Sequence, residues 1–255
     1  MRVIRVRILI MALGLAATLG LVATSFADTV HTLDTLTYNF QVSGGGGGSS
    51  ARLDHTIKTE IYCVDFANEI FVPHQNYSAY ETALVSGSNL SNTRLGHNTS
   101  WHTVAVSDGD LNDATDQSII NNANALGRYQ MAAFLVSQYN FAAQGNASNN
   151  GIQEAIWMIL DPSSAPAFPA IGNPSEALES AATWFNSTSA PLRDSFLTDF
   201  RIVSDSTMTT CHGSSAALCG GFQEQLTETP EPSSLLLLGT GLTGLGVFFR
   251  RKRLV

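Results

Sequence analysis

Basic residues are scarce in this chain, and the scarcity is concentrated in its middle. Seven of the 13 lysines and arginines lie at the two ends (Arg2, Arg5, Arg7, Arg250, Arg251, Lys252, Arg253). The stretch between them holds six, of which Lys58 is the single lysine, against all 21 acidic residues, so it carries a net charge of −15. Such a body repels polyanions, which excludes nucleic acid and anionic membrane surfaces as its partners. A run of five glycines within residues 43–50 lacks the Gly-Lys-Ser ending and the following helix of a phosphate cradle, so it predicts a flexible loop and not a nucleotide site. His74, His97 and His102 do not fall at metal-ligand spacing on one element. In the acidic run Asp108, Asp110, Asp113 and Asp116 only Asp108-Gly109-Asp110 approximates a calcium loop, so a solvated loop is expected, with weak metal affinity as the alternative. No metal and no cofactor is predicted.

Cysteine is scarcer still. Cys211 and Cys219 stand eight positions apart and are predicted to form a disulfide, which leaves Cys63 over. An odd cysteine in an exported chain points to an intermolecular bridge or a reactive thiol. A third possibility is an internal thioester, formed when the thiol attacks a glutamine amide and ammonia leaves.

The ends identify the chain as exported. Residues 1–27 read as a signal peptide: a charged start, an apolar run over 8–23, and Ser25-Phe26-Ala27 with small residues at the cleavage positions. Residues 226–255 form a second processing segment. Thr229-Pro230-Glu231-Pro232 precedes an uncharged stretch at 233–249, long enough as a helix for a short membrane span, and a basic cluster closes the chain on the cytoplasmic side. This three-part order resembles the PEP-CTERM sorting signal of Gram-negative bacteria, with Pro230, Glu231 and Pro232 as the motif. The resemblance implies recognition by an exosortase, a transient hold in the inner membrane, and a bacterium that makes an extracellular polysaccharide matrix.

Residues 28–225 remain as the body, enough for one domain with a proper core. Residues 30–42 alternate as a strand. Residues 57–66 form a second, with Ile57, Thr59, Ile61 and Cys63 on one face and Tyr62, Val64 and Phe66 on the other. Residues 67–116 read as loops around short strands, the clearest at 101–106. Helices dominate 117–187. Ile152, Ala155, Ile156, Ile159 and Leu160 make an apolar stripe that stops before Asp161-Pro162 and puts Gln153 near a helix start. Asn173-Pro174-Ser175-Glu176 opens another helix. A strand returns near 200–203. The expectation is an α+β fold in which a β-strand subdomain packs with a helical one.

Two short motifs then stand out: Tyr62-Cys63-Val64-Asp65 at a strand end and Gln153-Glu154-Ala155-Ile156-Trp157 in a helix. Together they resemble the paired signatures of bacterial thioester domains, the adhesin modules of bacterial surfaces. The resemblance implies a Cys63–Gln153 thioester at or near the junction of the subdomains, with Tyr62, Phe66 and Trp157 as aromatic walls that keep water out. It further implies single-use covalent attachment of a partner's amine or hydroxyl to Gln153, not turnover. A non-covalent matrix or carbohydrate-binding protein is the alternative. A cysteine hydrolase or transglutaminase, with Cys63 as nucleophile and His74, His97 or His102 as base, is a weaker one.

Overall fold

The computed structural model describes residues 29–41, 47–55, 57–66, 70, 75–97, 106, 113–140, 147–162, 172–210, 218–219 and 221–228. The signal peptide, His74, His102, the strand expected at 101–105, Asp108, Asp110, Cys211 and the tail from 229 lie outside them, as do the side chains of His97 and Cys219.

Six strands close into an antiparallel barrel. β1 (Thr29–Gln41), β2 (Gly47–Leu53) and β3 (Ile57–Cys63) follow as hairpins, β4 (Asn76–Ala83) pairs with the outer edge of β1, and β5 (Phe200–Asp205) pairs with β4. Two two-residue strands, β6 (Thr209–Thr210) and β7 (Leu218–Cys219), pair with each other apart from the barrel. β8 (Gln225–Glu228) slots between β3 and β5 and completes the circle. Closure removes every open strand edge from the barrel. β8 straddles the boundary expected at residue 225.

The alternation read from β3 sorts its side chains as expected. Ile61 points into the barrel with Leu33, Ala51, Leu53, Tyr77, Ala79 and Val203. Tyr62 and Val64 point the other way, into a larger core shared with the helices. Inside the barrel, the hydroxyls of Thr59 and Thr227 bond each other at 2.6 Å, which satisfies two polar groups that water cannot reach.

The mixed α+β content thus agrees with the sequence. One region does not: Gly47, Gly48, Ser49 and Ser50, expected in a flexible loop, are buried strand residues. β2 is held by ladders on both sides, from β1 and from β3, and such a ladder needs no side chain. Glycine there permits another part of the chain to approach the backbone closely.

The helices are α1 (Arg94–His97), α2 (Ala114–Asn122), α3 (Ala125–Val136), α4 (Ala147–Leu160), α5 (Ser175–Ser187) and α6 (Ala190–Phe196). In the acidic run Asp113 is a cap, its Oδ1 accepting from the Thr115 N–H at 2.7 Å to open α2, and Asp116 lies in the first turn of that helix. Within the helical stretch expected from 117 the helix breaks at Asn124, whose side chain caps α3 by accepting from the Gly127 N–H. α4 is buried on nearly all sides, Glu154 being the least covered residue from Asn149 to Leu160. Such a helix is a core element and not an amphipathic surface one. It begins at Ala147, so Gln153 sits in its middle and not near its start, and Asn149 and Asn150 belong to the helix. Arg128 Nη1 donates to the Ile159 carbonyl at 2.7 Å, tying α3 to the last turn of α4 with a cation where helix carbonyls accumulate.

Candidate functional site

The C-terminal end of β3 meets the middle of α4, and there the two motifs come together. Cys63 is 3% exposed and Gln153 is fully buried. Although 90 residues separate them, Gln153 Nε2 donates to the Cys63 carbonyl at 2.9 Å. The other end of the amide is held more firmly. Gln153 Oε1 accepts from the Tyr139 hydroxyl at 2.7 Å and from the Gly47 N–H at 3.1 Å. A buried primary amide therefore has its donor end on the Cys63 backbone and its acceptor end under two donors.

Each contact follows from local structure. Gly47 opens β2 at φ +105°, a conformation that L side chains rarely adopt, and there its N–H reaches α4. Tyr139 lies just past α3, where the chain is clamped by α4: Asn149 Oδ1 accepts from the Asn140 N–H and Asn149 Nδ2 donates to the Asn140 carbonyl, both at 3.0 Å. The Tyr139 ring stacks on Tyr62 at 5.9 Å between centroids. Burial, followed by the neighbouring Cys63 and Tyr62, raises the Tyr139 hydroxyl well above its ordinary pKa, so it remains a proton donor.

The Cys63 thiol is free and donates to the Asp65 carbonyl at 3.6 Å. Burial pushes its pKa up to about 12, while the nearby Trp157 side chain acts in the opposite direction and the Asp65 charge adds to the rise. The thiol is thus neutral at ordinary pH, with an indole beside the sulfur. Phe66 packs edge-on against Trp157 at 5.0 Å. Of the three aromatic residues expected as walls, Tyr62 stacks on Tyr139, and Phe66 and Trp157 pack on each other.

Sequence reading missed Tyr139 and Gly47 as partners of the amide. A periodic tyrosine and a glycine in a low-complexity run carry no signal that points 14 or 106 residues away. It also missed what anchors the Cys63 strand end. Asp65 Oδ2 pairs with Arg94 Nε at 2.5 Å, and Arg94 Nη2 donates to the Phe222 carbonyl at 3.0 Å. Glu224, 2% exposed, accepts from the Arg94 N–H at 3.0 Å, the Tyr129 hydroxyl at 2.6 Å and the Ser204 hydroxyl at 2.7 Å. Burial raises the Glu224 pKa, opposed by Arg94 and these donors. The network fixes the residues after Cys63 to β8 and α1. The acidic residue of Tyr62-Cys63-Val64-Asp65 was the available hint.

The comparisons bear on the other end of the chain. The family model for the PEP-CTERM protein-sorting motif matches residues 228–253. That motif is a sorting signal for exosortase, so the chain is an exported protein with its signal at the C-terminus. No curated protein and no solved structure matches the chain. Among the described residues no helix is long and apolar enough to cross a membrane, and the stretch 233–249 lies outside them. Among the same residues no group of three or more His, Cys, Asp or Glu side chains is arranged to hold a metal ion.

Proposed function

We propose that this protein is a covalent adhesin of the cell surface or extracellular matrix, whose Cys63 and Gln153 condense into an internal thioester. What supports the reading is the Gln153 amide: fully buried, bonded to the Cys63 backbone, and carrying two hydrogen-bond donors on its carbonyl oxygen. A thiol and an amide do not react at useful rates in water. Fixed in contact they gain an effective concentration worth roughly 7–11 kcal/mol. The Cys63–carbonyl S–C bond forms, the C–N bond breaks, and the thiol proton leaves with the amide nitrogen as ammonia.

The product is a store of reactivity that aromatic side chains shield from water. When an amine or hydroxyl of a partner attacks the same carbon, a new bond joins the partner to Gln153, the C–S bond breaks, and the nucleophile's proton ends on the Cys63 sulfur. Each molecule reacts once. With Lys58 the single lysine of the body, few of its own amines compete with a partner. Exosortase processing would deliver the body to a surface where protein amines or polysaccharides are the available nucleophiles.

The test is methylamine. On the signal-free protein it should add its own mass and expose one thiol, and Cys63→Ala or Gln153→Ala should each abolish both effects, since neither side chain makes the bond alone. An inert wild-type protein would leave Gln153 as a strut between α4 and the barrel, and a non-covalent matrix protein as the better reading.

A further inference from the structure

We propose that the Tyr139 hydroxyl and the Gly47 N–H act as an oxyanion cradle for the Gln153 carbonyl, with Tyr139 a catalytic residue and Asn149 its positioning residue; the proposal rests on the thioester reading. Both donors already lie on Oε1, at 2.7 and 3.1 Å. Attack by sulfur turns that carbonyl tetrahedral and places negative charge on the oxygen they hold. Donors fixed in a water-excluded site need no reorganisation as the charge develops, and in such sites they act far more strongly than in water.

The same cradle serves both directions. In formation the nitrogen leaves and sulfur arrives, and in capture the sulfur leaves and a partner nucleophile arrives. The oxygen is the one heteroatom on that carbon that neither leaves nor is replaced, so two donors aimed at it assist each step.

Two features suit the donors to this role. Gly47 occupies a positive φ in order to open β2 with its N–H on the amide. The segment holding Tyr139 is clamped by both ends of the buried Asn149 amide. A strut would be satisfied by the same two donors, one on each lone pair of its oxygen. Two convergent donors on the electrophile are what an acyl-transfer step requires.

The experiment compares wild type, Tyr139→Phe and Asn149→Ala, following by intact mass both the loss of ammonia after synthesis and the rate at which methylamine consumes whatever thioester has formed. Tyr139→Phe keeps the ring on Tyr62 and removes one donor, so both rates should fall about 100-fold, the usual loss for one oxyanion donor. Asn149→Ala should lower both rates by a smaller factor, because Tyr139 remains but is less firmly held. Thermal melting of Tyr139→Phe in a Cys63→Ala background measures its structural contribution separately. Wild type that forms the thioester, with Tyr139→Phe matching it within about twofold in both rates, overturns the cradle and leaves the thioester standing. Wild type that never loses ammonia removes the thioester reading and the cradle with it.

Discussion

The β2–β3 hairpin has two ends, roughly 20 Å apart along strands of this length, built on opposite principles. At its turn, Asp54 and His55 adopt φ of +50° and +60°, unusual for residues other than glycine. They are held by charge in the open. Asp54 Oδ2 meets His31 Nδ1 at 2.7 Å and its Oδ1 accepts from the Thr32 N–H at 2.9 Å, while His55 pairs with Asp34. The Thr32 N–H first, then His31, hold the Asp54 carboxyl below its usual range. At the other end Gly47 and Cys63 meet α4 with no exposed charge. Neutral hydrogen bonds converge on one amide, and the nearest ions, Asp65, Arg94 and Glu224, are all well covered. Exposed pairs gain little because water and salt screen them. Buried polar groups are costly to leave unpartnered, so each partner counts. Substitutions at the turn are therefore expected to cost less than substitutions at the amide end.

That contrast is sharpest at Arg94. Arg94→Met, made in a Cys63→Ala background so that no cross-link intervenes, removes the buried charge partner of Asp65 and the favourable charge near Glu224. It should cost about 3–5 kcal/mol by urea unfolding, the usual loss when one partner of a buried pair is removed. A cost as small as that of an exposed pair would mean that the amide end is as well solvated as the turn.

The thiol provides the next test. In Gln153→Met, which keeps volume and leaves Cys63 free, a pKa of about 12 in place of 9.0 should make alkylation at pH 8 about a thousandfold slower than for an ordinary cysteine. The rate should climb with pH instead of levelling near 9. Stability follows the same sign. The unfolded thiol ionises first, so the contribution of Cys63 is full below about 9 and is lost as pH rises toward 12. A plateau in alkylation near pH 9 would show a wet thiol.

How much of this was legible in the sequence divides along the same line. Period-two alternation sorted Ile61 from Tyr62 correctly because β3 has a different core on each face. The stripe from Ile152 to Leu160 located the end of α4, since Pro162 forbids its continuation. Its start was misplaced because Asn149 and Asn150 look like loop residues, although tertiary contacts bury them in the helix. The glycine run was misread for a related reason. Composition reports a lack of side chains but not the two neighbouring ladders that hold Gly47 to Ser50 in a barrel. The paired motifs pointed to Cys63 and Gln153, which the fold brings into contact, whereas Tyr139 and Gly47 reach the amide only through topology.

The smallest effect is expected at the turn. His55→Gly removes an exposed contact with Asp34, worth at most about 1 kcal/mol, and relieves a left-handed backbone costing a similar amount. Stability should stay within about 1 kcal/mol of wild type in thermal melts. A large loss there would erase the difference between the two ends.

The central claim is that the amide end is dry and ordered enough for Cys63 and Gln153 to condense, and the intact mass of the freshly purified, signal-free protein under denaturing conditions tests it directly. The account predicts a species about 17 Da lighter than its sequence, the mass of one ammonia, in wild type and in neither Cys63→Ala nor Gln153→Ala. A wild-type protein at its full sequence mass, with Cys63 open to alkylation once unfolded, would contradict it.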